Sequence, residues 1–117
     1  MWNLGRLHNN MNIELTYIEN NTWIVDEEYT RNGVSVPKGF VTDLASTPRV
    51  LWSIYPPFGK YLAGAIVHDY LYYIKSPRRE ADISLRYILK QDGVGLITRW
   101  SFYVAVRAFG WISYNNY

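Results

Sequence analysis

The chain has 117 residues, 49% of them hydrophobic and 17% aromatic, a formal net charge of +2 and no cysteine. That length holds one core and is too short to divide between two, and the apolar content excludes a disordered chain. The missing cysteine excludes disulfides and thiolate metal sites. The small net charge, without a basic run or known motif, gives no support to nucleic-acid binding.

Residues 1 to 12 hold no apolar run of signal-peptide length. The most apolar stretch, 61 to 74, is too short to span a bilayer and carries His68 and Asp69 in its middle. The eleven tyrosines suit walls that are dry on one side and wet on the other, in pockets and at interfaces alike. Acids gather early (Glu14, Glu19, Asp26, Glu27, Glu28) and bases late (Lys75, Arg78, Arg79, Arg86, Lys90, Arg99, Arg107). The late bases read as solvated helix faces or as groups facing an anionic ligand.

No pattern emerges over residues 1–11, which read as an arm. From Asn12 to Ile18, Ile13, Leu15 and Tyr17 alternate with Glu14 and Thr16, the period of a strand. Asn20-Asn21 reads as a turn and Thr22 to Val25 as the returning strand. Asn32-Gly33 joins a second hairpin, Glu28–Thr30 with Val34–Val36, and Pro37 and Gly39 end the strands. The remainder reads helical. Thr47 as cap and Pro48 as first helical residue open a short helix through Ile54, stopped by Pro56-Pro57. Lys60 to Ile74 reads as a buried central helix. Ser76-Pro77 opens another, with Ala81, Leu85, Ile88 and Leu89 at the helical period and Gly93 at its end. A last helix runs from about Leu96 to Phe109, stopped by Gly110. Strands first and helices second predict a single α+β domain over 1–117. Its architecture is a small antiparallel β-meander of two hairpins (12–40), packed by about three α-helices that follow a polar loop (41–117).

Three places put polar groups where the pattern predicts burial. His68 and Asp69 interrupt the central helix, and a buried carboxylate needs a positive partner, several donors or a metal. Asp82 lies at the edge of its helix's apolar stripe, within reach of an intrahelical pair with Arg78 or Arg86. The loop Thr42 to Arg49 gathers a carboxylate, three hydroxyls and an arginine. Thr42, Asp43, Ser46 and Thr47 all suit helix starts or Asx turns, but capping accounts for one or two of them and not for Arg49.

These places coincide with a family signature. The run from Val36 to Arg49, with Trp52, Pro56-Pro57, Gly59 and Tyr61, resembles domain-of-unknown-function family 1353. So do Ala65 to Tyr72, Arg78, Ala81-Asp82 and Ala105 to Trp111. The likeness covers about Asn12 to the end of the sequence. It implies a protein of tailed bacteriophages or prophages, working in the host cytoplasm or the virion, but supplies no reaction. Thr42, Asp43, Ser46, Arg49, His68, Asp69, Arg78, Asp82 and Arg107 match signature positions, which implies a shared site.

Two functions of different class follow. In a hydrolase-like site, Asp43, His68, Asp69 and Asp82 would hold a divalent metal (Mg²⁺, Mn²⁺ or Zn²⁺) that generates a hydroxide. A carboxylate would be the general base, His68 a ligand or general acid, and Arg49 and Arg78 would neutralise an anionic transition state. Thr42, Ser46 and Arg107 would bind the substrate, a phosphoester or a peptidoglycan bond. A metal-free version has Asp69 orienting His68 as base for a Ser46 nucleophile. In the other class the chain is a virion component, a tail, connector or baseplate adaptor that binds other phage proteins through its aromatic surface. The same polar residues would then form an internal ion-pair network.

Overall fold

The computed structural model describes residues 6–8, 13–19, 22–55 and 59–117. The fold is α+β. Strands β1 (Arg6–His8), β2 (Glu14–Glu19), β3 (Thr22–Val25) and β6 (Val41–Thr42) form an antiparallel sheet in the order β1-β2-β3-β6. Leu15 pairs with Val25 and Tyr17 with Trp23 across β2 and β3. The alternation at Ile13, Leu15 and Tyr17 buries Ile13 and Leu15 but leaves Tyr17 exposed, where its ring meets Trp23 edge-on at 4.9 Å. Strand β1 lies in the segment to which the sequence assigns no pattern. The Asn20-Asn21 turn and Pro56-Pro57 fall outside the described residues.

The second hairpin, β4 (Tyr29–Arg31) and β5 (Val34–Val36), is a separate two-stranded sheet. Its turn has positive φ at both Asn32 (51°) and Gly33 (82°), the conformation that lets a two-residue loop follow strand twist. Arg31 ties it to the helical layer. Its guanidinium meets Asp92 at 2.5 Å, and that hydrogen bond, partly opposed by burial, raises the Arg31 pKa further.

Four α-helices follow: α1 (Arg49–Ile54), α2 (Leu62–Tyr73, entered through a 3-10 turn at Gly59–Tyr61), α3 (Arg78–Gln91) and α4 (Leu96–Asn116). Helix α2 is central, buried from Leu62 to Asp69 and again at Leu71 and Tyr72. Two helix starts lie one residue later than the sequence suggests. Pro48 and Pro77 are themselves the N-caps, extended at ψ 135° and 126°, and neither helix has a side-chain cap. Gly93 does end α3: in a left-handed conformation it bonds Lys90 O, while Val94 bonds Leu89 O. Gly110 does not end α4. The helix runs through it to Asn116, because the missing side chain lets α4 press against Tyr72.

Candidate functional site

The loop between β6 and α1 delivers the hydroxyls. Leu44 takes a left-handed φ of 60° although it is buried, a strained state for a bulky residue that its surroundings must enforce. Thr42 Oγ1 accepts from Leu44 N at 2.9 Å, and Leu44 O accepts from Trp52 Nε1 at 3.2 Å. This geometry aims Thr42 and Ser46 at α2.

Asp69 and His68 are adjacent on α2, and each is fully buried. Asp69 accepts from the Thr42 hydroxyl, from the Tyr117 hydroxyl and from Ser46 N at 3.3 Å. Burial, then the charge and hydrogen bond of Asp69 and the charge of Asp43, push the Tyr117 phenol far above its ordinary pKa. It stays a neutral donor.

His68 has both ring nitrogens engaged. Nδ1 lies 2.9 Å from Ser46 Oγ and Nε2 lies 2.7 Å from Asp82 Oδ1. Asp82 is likewise fully buried and collects four partners. Tyr72 donates to Oδ1 at 2.6 Å, Arg107 donates to Oδ2 at 2.8 Å, and Arg78 Nε stands 3.7 Å from Oδ2. Burial alone would raise the Asp82 carboxyl. The hydrogen bonds from His68 and Tyr72, the charge of His68 and the Arg107 bond outweigh it and hold the group below the usual carboxylate value. An ionised Asp82 accepts only, so Nε2 carries a proton. Nδ1 pairs with the Ser46 hydroxyl. Burial, followed by the Asp82 carboxylate, raises the Tyr72 phenol as well.

Ser46 joins the two clusters, through its backbone to Asp69 and its side chain to His68. Thr42, Ser46, His68, Asp69, Arg78, Asp82 and Arg107 therefore form one connected set. Two candidates lie outside it. Asp43 is exposed and accepts from Ala45 N at 2.9 Å in an Asx turn. Arg49 is exposed at the start of α1, with no ion pair among the described residues. The intrahelical partner envisaged for Asp82 is only half right. Arg78 is near, but its Nη2 also reaches Val106 O and Arg107 O, and Arg86 stacks instead on Trp100 and Tyr103. The closest cation is Arg107, from α4.

Two further members carried weak signals. Tyr72 lies one turn after His68, so the two share a helix face. Tyr117 is 48 residues from Asp69, a separation no local pattern reveals. Beside Ser46, the Thr47 hydroxyl is buried without a partner among the described residues.

The described residues contain no group of three or more His, Asp or Glu side chains placed to hold one ion. No described helix is long and apolar enough to cross a membrane. A surface hollow of about 230 Å³ is lined by Asp43, Ala45, Ser113, Asn116 and Tyr117, and Tyr117 is the donor to Asp69.

No curated protein and no solved structure matches the chain. Residues 18–106 match the family described as Protein of unknown function (DUF1353). That span holds the β6–α1 loop, the His68-Asp69 pair and Asp82, and stops one residue short of Arg107. Because the match covers most of the chain, the protein belongs to the DUF1353 family.

Proposed function

We propose that this chain is a non-catalytic component of a bacteriophage particle, a small adaptor of the tail, connector or baseplate, in which the Asp–His–Arg set locks the helices together. One observation carries the reading: the set is saturated from within. Both nitrogens of His68 and all four carboxylate oxygens of Asp69 and Asp82 have protein partners. A closed network of this kind fixes geometry, whereas a catalytic site keeps a reactive atom open to substrate. The phage setting rests on the family resemblance. The test is mass spectrometry of purified particles of a phage that encodes the chain. A fixed copy number per particle is expected. Absence from complete particles, together with turnover by the purified protein, would overturn the reading.

One observation favours a second reading. Ser46, His68 and Asp82 stand in the order of nucleophile, base and orienting carboxylate, with the ring nitrogens exchanged relative to the serine-protease arrangement. Ser46 is only 1% exposed, so a hydrolase of this kind must first expose it. A fluorophosphonate probe decides it: labelling that disappears in Ser46→Ala supports a nucleophile, and an unlabelled wild type removes it.

A further inference from the structure

Helix α4 changes character at Gly110. Up to that residue, Phe102, Val106 and Gly110 are buried at intervals of four, so they share the face that packs inward. Beyond it, residues 111–117 include no buried side chain. The next position of the same face is Tyr114, which is half-buried and meets the Tyr72 ring edge-on at 5.2 Å.

Polar anchors hold this last stretch. Ser113 Oγ donates to Ala45 O at 2.7 Å, and the Tyr114 hydroxyl donates to Ser76 O at 2.9 Å. Lys75 donates to Tyr114 O, and the Tyr117 hydroxyl donates to Asp69. The anchors thus reach three places: the β6–α1 loop, the connection between α2 and α3, and α2 itself. A hydrogen bond of this kind contributes modestly to net stability. A segment held by such bonds, with no buried apolar side chain, opens at a lower free energy than the core. Glycine is also the weakest helix former after proline, so Gly110 is where α4 yields most readily without disturbing Phe102 and Val106.

Asp69 gives that opening a consequence. Its carboxylate is fully buried. Of its three donors, Thr42 and Ser46 sit in the β6–α1 loop and Tyr117 belongs to the end of α4. Tyr117 is 41% exposed, so it reaches from the surface to a group that has no surface of its own. A buried carboxylate that loses a donor is costly unless water replaces it.

We propose that residues 111–117 are a strap that opens as one unit about Gly110, while the rest of α4 stays docked, and that opening admits water to Asp69. Closure and the Asp69–Tyr117 bond are then reciprocal, each favouring the other by the same factor. The device operates under either function given above.

The experiment is native-state hydrogen exchange of the full chain, read residue by residue by NMR at low urea concentrations. Amides 112–117 are expected to exchange through one common opening that responds weakly to urea, while Phe102 and Val106 exchange with the core. Tyr117→Phe deletes the hydroxyl and keeps the ring. It should speed all of 112–117 by a common factor of about 10 or more, the scale of a hydrogen bond to a charged group, and leave Phe102 and Val106 unchanged. Tyr114→Phe removes a different anchor and should speed the same amides together. The Ser46 amide, bonded to Asp69, should quicken with the strap in Tyr117→Phe. Rates that climb residue by residue toward 117, with each variant touching only its own neighbours, would reduce the stretch to a fraying helix end and overturn the proposal. Exchange of 112–117 only with the core, or a Ser46 amide indifferent to Tyr117→Phe, would overturn it as well.

Discussion

The hydroxyl of Tyr72 occupies the space that a side chain at Gly110 would fill. A Cβ there would overlap the phenol oxygen and approach ring carbons Cε2 and Cζ to 3.3 Å. Helices α2 and α4 therefore meet where one of them has no side chain, and that approach brings Arg107 to Asp82. Gly110→Ala improves intrinsic helix propensity by about 1 kcal/mol yet should lower net stability by about 1–3 kcal/mol through overpacking. Removing the oxygen with Tyr72→Phe should recover part of that loss. Urea titrations of the two single variants and the double variant measure the coupling. Additive effects would show that the two positions do not compete for space.

Asp82→Ala should destabilise the protein by about 3–5 kcal/mol, the usual cost of stranding a buried charge partner. Its pH dependence follows from the depressed carboxyl. The unfolded chain, with a value near 3.8, takes up the proton before the folded chain does. The Asp82 contribution is thus fully present above about pH 4 and is lost as pH falls through the lower folded value. The stability gap between wild type and Asp82→Asn should narrow over that acid window. A gap that stays constant would mean that Asp82 is not ionised in the folded protein.

Thr47→Val should be neutral or stabilising, because it replaces a buried hydroxyl that has no described partner with an apolar group of nearly the same shape. An unmatched buried polar group costs about 1–3 kcal/mol. A fall in melting temperature would reveal a hydroxyl that does hydrogen-bond.

Arg31→Ala should release the β4–β5 hairpin from the end of α3, since Arg31 donates to both Asp92 and Gln91. Amide exchange over residues 29–36 should quicken while α2 keeps its protection. The expected loss is about 1.5–3 kcal/mol, the scale of hydrogen bonds to charged groups. Equal acceleration in α2 would mean that the hairpin is part of the global folding unit.

Thermal melts with and without a chelator should coincide, because the buried donors already have protein partners. A ligand that binds only the folded state raises its stability. A melt lowered by chelator, with stoichiometric metal in the native protein, would restore the metal-dependent reading through Asp43, His68, Asp69 and Asp82.

Local chemistry made much of this legible. Alternation at Ile13 and Leu15 marked β2, Asn32-Gly33 marked a real two-residue turn, and Gly93 marked the end of α3. Polar residues inside apolar runs picked out His68, Asp69 and Asp82, which the structure joins through Ser46. What misled was tertiary. Gly110 signals a helix stop in isolation, but against Tyr72 it is a packing notch inside a longer helix. Asp82 has an arginine one turn away on its own helix, yet its closest cation arrives from α4. Asp43 and Arg49 share a loop with Thr42 and Ser46, but the left-handed Leu44 turns the hydroxyls inward and leaves those two charges in water.

The network also bears on how the protein comes apart. Apart from the i,i+4 approach of Arg78 to Asp82 and the Tyr72–Asp82 bond 10 positions apart, its links join residues 14, 22, 23, 25, 27 and 48 positions apart. Each such loop must close before its bond contributes, so the network forms only after the helices have docked. Interactions absent from the folding transition state act on the unfolding rate. Asp82→Ala should therefore steepen escape from the native state and barely slow its formation, shifting the unfolding limb of the chevron alone. The buried charges would then act chiefly as a barrier against opening, setting how long a folded copy lasts.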